Sequence, residues 1–173
     1  MRPIASAEAS EPAVPVAKAN WFLRWFGLMK VPLIGYVRAQ IVESSSERTV
    51  VKVPLSRRTK NHLGSMYFGA LAIGADLSAG ATAMFLIERV RRASGTKVSL
   101  VFKDVKGTFL RRPDGDVLFE CVDVPGVKAL VDEAVRTGER VERAVPVTCR
   151  CPTMEGDGPV AEFVLTLSLK RRD

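Results

Sequence analysis

The longest apolar run in the chain covers residues 66–87, and Asp76 is the only charged residue within it. A charged cluster at residues 88–92 closes the run, and Gly95 follows as a typical C-terminal stop. A helix that is apolar on every side is typical of the core of a folded domain. The pattern therefore predicts one long, buried helix with a single carboxylate near its middle.

The same run is long enough to span a membrane. Two observations favour a core helix instead. A carboxylate at the centre of a span would be costly in lipid, and strand-like segments lie on both sides of the run. We therefore predict no membrane span.

Alternating or β-branched apolar residues predict strands on both sides of the long helix. The predicted strands cover residues 36–43, 49–55, 97–103, 107–112, 116–124, 141–151 and 159–170. Residues 126–137 instead carry apolar side chains at three- and four-residue spacing, which predicts a short amphipathic helix. The order of these elements indicates an α+β domain.

The first 19 residues differ in composition from the rest of the chain. They are rich in Ala, contain three prolines and carry no net charge, so we predict a disordered tail at residues 1–19. They hold no continuous apolar stretch of the kind that a secretory signal needs. A single domain is expected over residues 20–173.

A short helix is predicted at the start of that domain. Asn20 would cap it, Trp21 would be its first residue, and Pro32 would end it. The helix either lies across its own domain or binds a membrane surface. We favour the first interpretation because the polar face is too thin for a surface helix.

Length and composition narrow the class of protein. With 173 residues, 47% of them apolar, the chain can build a core without disulfides or metals. Three cysteines and one histidine argue against a disulfide scaffold, a multi-histidine metal site and a histidine-based triad. Cys121, Cys149 and Cys151 lie in predicted strands and are interpreted as packed thiols, which fits a reducing cytoplasm. We predict no metal site and a cytoplasmic location.

The chain is basic, with 26 Lys and Arg against 19 Asp and Glu and a net charge of +7. Such a charge favours anionic partners. Nucleic acid is one of them, but the chain has only two Trp and two Tyr, and its basic residues do not alternate with aromatic ones. We therefore predict no nucleic-acid binding.

Asp76 lies on a helix face formed mainly by small residues. Positions 69, 72, 73, 76, 79, 80 and 83 share that face at about 100° per residue, and all but Ile73 and Asp76 are Gly or Ala. A buried Asp needs a hydrogen-bond partner or takes a raised pKa. The face fits two interpretations: close helix packing with Asp76 bonded to a backbone donor, or a narrow cleft around a reactive carboxylate.

The segment that leads into the long helix carries a recognisable pattern, because residues 61–69 read NHLGSMYFG. Small hotdog acyl-CoA thioesterases of the phenylacetyl-CoA thioesterase type carry Asn-x-x-Gly-x-x-His-Gly-Gly, with an Asp nine residues after the His. The chain resembles this family over residues 35–170, in a branch of unknown function. The matching positions are Asn61, Gly64, Gly69 and Asp76. Tyr67 and Phe68 stand where the family has His and the first Gly of the pair.

The resemblance implies a hotdog fold, in which a curved antiparallel sheet wraps around one long central helix. It also implies hydrolysis of a thioester of coenzyme A or of an acyl-carrier protein, with no cofactor. In the family the site forms between two subunits, so a homodimer or a dimer of dimers is expected.

The resemblance also implies a role for each matching position. Asp76 would act as general base or nucleophile, and Asn61 would orient water or the carbonyl group. The backbone N–H groups of Phe68 and Gly69 would stabilise the oxyanion. Gly64 and Tyr67 would join Phe68 and Gly69 in the substrate site. Basic residues at 57–60, 89–92 and 111–112 are candidates for contact with the phosphates of coenzyme A.

Tyr67 and Phe68 depart from the family pattern, and a larger side chain at position 68 could narrow access to the site. The alternative function is therefore a catalytically silent hotdog domain that binds acyl-CoA or acyl chains without cleaving them.

Overall fold

The computed structural model describes residues 14–156 and 158–172, and the long apolar run forms its central helix. The helices are α1 (Val16–Met29), α2 (Pro32–Val37), α3 (Phe68–Ser94) and α4 (Val124–Thr137). Helix α3 has 27 residues, and a helix of that length is about 40 Å long. It ends at Gly95, whose φ of +74° lies in the left-handed region that glycine adopts without strain. The predicted long helix and its stop are confirmed.

In the part of the chain that the structure describes, six strands form one antiparallel sheet in the order β1-β2-β4-β5-β6-β3. The strands are β1 (Gln40–Ser44), β2 (Thr49–Val53), β3 (Lys97–Phe109), β4 (Val117–Cys121), β5 (Val141–Arg150) and β6 (Ala161–Arg172). The sheet packs around α3, which contacts five of its strands and α4. This arrangement is α+β and matches the predicted hotdog fold.

Helix α3 lies close to the sheet because of its small residues. A Cβ atom at Gly74 would overlap the ring of Phe119 on β4, so only a glycine lets the helix approach there. Further along the helix, the hydroxyl groups of Thr82 and Thr49 bond to each other at 2.8 Å across the buried boundary with β2. Small and hydroxyl-bearing residues outside the face of Asp76 therefore bring helix and sheet together.

The N-terminal helix differs from its prediction. Helix α1 begins at Val16, so residues 16–19 are helical and not part of a tail, while residues 1–13 lie outside the described residues. Asn20 lies inside α1 and does not cap it. Its side-chain amide donates to the Ile41 carbonyl at 2.7 Å, and its oxygen accepts from the Ile41 N–H at 2.9 Å. This pair of bonds fastens α1 to β1, in line with a helix that lies across its own domain.

Several predicted boundaries were also wrong. Residues 36 and 37 end the short helix α2, so the first strand begins only at Gln40. The two strands predicted at 97–103 and 107–112 are one strand, β3, with a register shift between Phe102 and Asp104. Helix α4 starts at Val124, because Pro125 suits the first turn of a helix.

Helix α3 is long and apolar enough to cross a membrane when only its length and composition are considered, and its most apolar stretch is 61% buried inside the fold. Burial of that extent is the behaviour expected of a core helix. The three cysteines are buried as well and form no disulfide. Within residues 14–156 and 158–172, no three His, Cys, Asp or Glu side chains are grouped as metal ligands.

Candidate active site

The loop between β2 and α3 is held by backbone hydrogen bonds at its end and by a side-chain hydroxyl at its start. Tyr67 N–H donates to the Thr59 carbonyl at 2.7 Å, and Met66 N–H donates to the Pro113 carbonyl at 3.0 Å. The Thr59 hydroxyl in turn donates to the Pro54 carbonyl at 2.6 Å. These bonds hold the first turn of α3 against the turn that precedes β4, so the start of the helix has a defined position.

Asn61 closes a tight turn within this loop. Its Oδ1 accepts from the Leu63 N–H at 2.9 Å, and its Nδ2 donates to the Ser65 hydroxyl at 3.1 Å. Gly64 takes a φ of +80°, which the turn requires and which other residues rarely adopt. Because a carboxamide has two N–H donors, Asn61 keeps one that could meet a substrate carbonyl. Gly64 is exposed, does not line the adjoining cleft, and acts through its backbone conformation.

A cleft of about 650 Å³ opens beside the start of α3. Its apolar wall is formed by Met66, Tyr67, Phe68, Leu71, Phe109 and Leu110, and its polar edge by Asn61, His62, Ser65, Arg111 and Arg112. Such a combination of apolar wall and few polar groups is typical of small-molecule sites. The sequence identified Asn61, Tyr67 and Phe68, but it missed Leu71, Phe109 and Leu110. The apolar residues of the strand predicted at 107–112 could have indicated the last two.

The first turn of α3 presents free backbone donors to this region. The N–H groups of Ala70 and Leu71 bond to the Tyr67 carbonyl at 2.9 and 3.2 Å. The N–H groups of Phe68 and Gly69 have no partner among the described residues, and no side chain caps the helix. Unpaired N–H groups at the positive end of a long helix can stabilise an oxyanion.

Aromatic rings surround these donors. The rings of Tyr67 and Phe68 lie 4.6 Å apart, and those of Phe68 and Phe109 lie 6.5 Å apart. A Cβ atom at Gly69 would lie 2.8 Å from Cε1 of Tyr67, so the tyrosine ring covers one side of that glycine. Tyr67 and Phe68 are nevertheless 48% and 58% exposed. They form an open apolar shelf beside the free N–H groups.

Asp76 lies two turns further along α3, on the side that faces β3. It is largely buried, and no hydrogen bond or ion pair joins it to any other described residue. A Cβ atom at Gly80 would lie 3.3 Å from its Oδ1 and 3.1 Å from Cζ of Phe102, so the carboxyl group lies close to that ring. Burial raises the pKa of Asp76 to about 6. Of the two interpretations of this helix face, the backbone-bonded Asp is wrong for the described residues.

One chain does not bring all the predicted site residues together. Asp76 is not among the residues that line the cleft. At 1.5 Å per residue, Gly69 and Asp76 are separated by about 10 Å along the helix axis. A nucleophile must reach the carbonyl carbon at about 3 Å, whereas a general base must reach the attacking water at hydrogen-bond distance. Within a single chain, Asp76 is therefore too far away to attack directly a carbonyl group held at the first turn of the same helix.

Strand β3 forms an open edge of the sheet, next to Asp76. Its apolar side chains are 39–60% exposed at Val101, Phe102, Val105 and Phe109. An edge strand with unpaired backbone groups and exposed apolar residues is prone to pair with another chain.

The basic residues named from the sequence lie in three different places. Arg111 and Arg112 line the cleft, together with His62. Arg58 lies over the ring of Tyr36, 5.2 Å from its centre, outside the cleft. The basic residues at 89–92 lie at the opposite end of α3. Only the pair at 111–112 is positioned to meet an anion in the cleft, and Arg112 is the more exposed of the two.

More than half of the chain matches the model of a known protein family. Residues 19–118 match the model of a family described as a domain of unknown function, DUF4442. The chain belongs to this family. No curated protein matches this DUF4442 chain at a significant level.

Solved structures share the fold at low sequence identity. A protein of unknown function from Pseudomonas aeruginosa, described as a probable thioesterase, is 21% identical with a TM-score of 0.69, over 92% of this chain and 97% of that one. A putative thioesterase from Shewanella oneidensis is 13% identical with a TM-score of 0.69, over 88% and 97%. A thioesterase from Haemophilus influenzae is 14% identical with a TM-score of 0.63, over 92% and 93%. The thioesterase-like hotdog fold is confirmed.

Proposed function

We propose that the protein hydrolyses acyl-CoA thioesters and that Asp76 performs the chemistry. The observation that carries this proposal is a carboxyl group in apolar surroundings, without a partner among the described residues, with a pKa raised to about 6. An ionised carboxylate of that pKa is a stronger base than an ordinary Asp and is still mostly deprotonated near pH 7. The thioesterase-like fold supports the same chemistry.

The reaction needs few groups. As general base, Asp76 would take a proton from water while the water oxygen forms a bond to the thioester carbon. The carbonyl oxygen would gain negative charge and accept hydrogen bonds from the N–H groups of Phe68 and Gly69. The tetrahedral intermediate would then break its carbon–sulfur bond, and the leaving thiolate would take the proton from Asp76, which releases the carboxylic acid and the thiol. As nucleophile, Asp76 would instead displace the thiolate and form an acyl–aspartyl anhydride, which water cleaves in a second step to the carboxylic acid and the free Asp76 carboxylate.

In this proposal a second copy of the chain brings an Asp76 carboxylate close to the first turn of α3. Antiparallel pairing of β3 with β3 of the second copy would cover the exposed apolar edge. Phe109 adjoins Phe68, and Phe102 adjoins Asp76. A two-fold axis near Val105 would therefore carry Asp76 of each copy toward the first turn of α3 in the other. Each dimer would then hold two equivalent sites.

The substrate is proposed to be a coenzyme A or acyl-carrier-protein thioester, because the cleft combines an apolar wall with a basic edge. The acyl group would contact the shelf of Tyr67 and Phe68. Arg112 would face a phosphate, since guanidinium groups bind phosphate through paired hydrogen bonds. Asn61 would use its remaining N–H donor to orient the carbonyl group.

The test is release of free thiol from a panel of short, long and aromatic acyl-CoA substrates. We expect turnover by the wild type and loss of turnover in Asp76→Asn with the dimer retained. Asp132→Asn, which removes an exposed carboxylate on α4, is the matched control and should leave turnover unchanged. Unchanged turnover in Asp76→Asn would contradict the assigned base.

A second candidate function rests on the position of Tyr67. Its ring covers one side of Gly69 and could keep a substrate carbonyl away from that N–H. The protein would then bind acyl-CoA without cleaving it. Stoichiometric binding of an acyl-CoA by folded wild type, with no thiol released over the whole panel, would select this function.

A further inference from the structure

A second cavity lies at the other end of α3, far from the candidate active site. It has a volume of about 440 Å³, within the range of pockets that hold small molecules. Helices α1, α3 and α4 and the β1–β2 turn enclose it. It shares no lining residue with the cleft beside Phe68. Phe68 and Phe85 are 17 positions apart on α3, which corresponds to about 25 Å along the helix.

The walls of this cavity are apolar. Phe22 of α1, Phe85 and Leu86 of α3 and Val124 of α4 all line it. The rings of Phe22 and Phe85 meet edge to face with their centres 5.8 Å apart, so α1 covers the cavity. The two hydrogen bonds between Asn20 and Ile41 hold α1 in that position.

The two buried threonines of the cavity do not suit an anion. Thr49 and Thr82 line it and are 2% and 5% exposed. Their hydroxyl groups bond to each other at 2.8 Å, and Thr82 also donates to the Ser78 carbonyl at 3.3 Å. Both hydroxyl hydrogens are therefore in use, so these two threonines offer a carboxylate only acceptor lone pairs. The other hydroxyl groups that line the cavity belong to Ser44, Ser45 and Ser46, at the β1–β2 turn.

The rim of the cavity has the opposite character. Four basic residues line it against one acidic residue: Lys18, Arg89, Arg92 and Lys128 against Glu88. Arg92 bonds to Glu88 at 2.8 Å and Lys128 bonds to Asp132 at 2.9 Å, whereas Lys18 is exposed and has no ion-pair partner among the described residues. The ammonium group of Lys18 at the rim, above apolar walls, complements a molecule with an anionic head and an apolar tail.

We propose that this cavity binds a fatty-acid anion, with the carboxylate at Lys18 and the chain packed against Phe22, Phe85 and Leu86. The site is independent of the proposed thioesterase chemistry, because it shares no residue with that site and its test needs no turnover. A single-chain fatty acid is favoured over a bulkier amphiphile because the cavity has a volume of only about 440 Å³.

The probe is decanoate, and the full chain is titrated by calorimetry. We expect saturable binding at one site per chain. Decanol has the same chain without the charge and should bind about ten-fold more weakly. Raising the salt concentration should weaken the binding of decanoate and leave the binding of decanol nearly unchanged. Equal affinity for the two probes would overturn the assignment of the basic rim.

Matched variants locate the site. Lys18→Gln should weaken the binding of decanoate about five-fold or more. Lys30 is an exposed lysine at the other end of α1, and Lys30→Gln should leave the binding of decanoate unchanged. Leu86→Trp places a large ring in the cavity and should abolish binding of both probes, whereas Leu33→Trp on exposed α2 should not. Thermal unfolding of each variant shows whether it is folded.

Three outcomes would overturn the proposal. The first is that the folded wild type does not bind decanoate. The second is that Lys18→Gln and Lys30→Gln lose decanoate affinity equally, and the third is that folded Leu86→Trp binds decanoate as the wild type does. A variant of the candidate active site serves as the remaining control. Asp76→Asn should bind decanoate like the wild type, so loss of thioesterase activity and loss of this site are measured separately.

Discussion

The carboxylate oxygen Oδ1 of Asp76 lies 3.3 Å from the point that a Cβ atom of residue 80 would occupy, one helical turn further along α3. Gly80 thus leaves open the space beside the carboxyl group. Gly80→Ala would fill that space and remove more water from Asp76, which raises its pKa further. We expect the acid limb of the pH–rate profile to move up by about half a unit. An acid limb that stays in place or moves down would contradict the position assigned to the carboxyl group.

The raised pKa of Asp76 makes stability depend on pH in a defined direction. The carboxyl group has a pKa of about 6 in the fold against an ordinary value of 3.8. Below both values it is protonated in the folded and the unfolded chain, and neither state is favoured. Between them the folded chain holds the extra proton, so stability falls as the pH rises from about 4 to 6. Above pH 6 the whole cost of burying the charge is present.

Asp76→Asn should remove that cost. We expect the variant to be about 2–3 kcal/mol more stable than the wild type at pH 8 and equally stable near pH 3.5. Urea unfolding at one fixed protein concentration measures both values. A stability gap of the same size at the two pH values would mean that the charge of Asp76 is not its cause. Greater stability with lost activity is the usual sign of a functional carboxylate.

The free N–H group of Phe68 can be removed without removing the helix. Proline is tolerated at the first helical position and has no N–H. Phe68→Pro should therefore lower kcat by 10²-fold or more, about the loss expected for one oxyanion donor. Phe68→Ala is the control, because it loses the same ring but keeps the donor. Equal kcat in the two variants would assign the effect to the ring and contradict an oxyanion role.

Mixing two inactive variants tests whether one site uses two chains. Asp76→Asn and Phe68→Pro, unfolded and refolded together in equal amounts, should form mixed dimers with one intact site each. Random pairing makes half of the dimers mixed, so about a quarter of the wild-type activity should return. If each site were contained in one chain, no activity would return.

The open edge of β3 should control assembly. Val105 is 60% exposed on this edge, and Val122 is 62% exposed in the connection between β4 and α4. Lys at an edge strand prevents pairing with another chain. Val105→Lys should therefore shift the protein to monomers in sedimentation experiments and remove activity, whereas Val122→Lys should change neither. A monomeric but active Val105→Lys would contradict the shared site.

The sequence predicted the parts of the fold whose pattern is local. An apolar run with one charge and a Gly stop predicts α3 without information from distant residues. The observed ends of the helix agree with the predicted ends to within one helical turn. The predicted ends of helices and strands were wrong where contacts with residues distant in sequence determine them. Asn20 has the chemistry of a helix cap, but the Ile41 backbone lies near enough to bind it instead. Lys103 and Asp104 interrupt the apolar pattern of β3, yet pairing with β6 carries the strand through a register shift.

The candidate site was predicted in the same uneven way. Asp76 and the segment at 61–69 could be predicted from the sequence, because a single carboxylate in an apolar run and a fixed spacing of residues need no knowledge of the fold. The cleft wall at Phe109 and Leu110 comes from a different strand, so only the fold places it beside Phe68. The second cavity was not visible at all, because its walls come from three helices that are distant in sequence.

The two edges of the sheet are not equivalent, and this limits how far the sheet can grow. At the β1 edge, the carboxamide of Asn20 bonds to both backbone groups of Ile41, as a neighbouring peptide group would. Helix α1 therefore blocks strand addition at that edge, while β3 is left bare. A sheet that can be extended on one side only joins one further copy and then stops. We therefore expect Asn20 to limit assembly through the sheet edges to two copies, because loss of its bonds to Ile41 would open the β1 edge to a further strand.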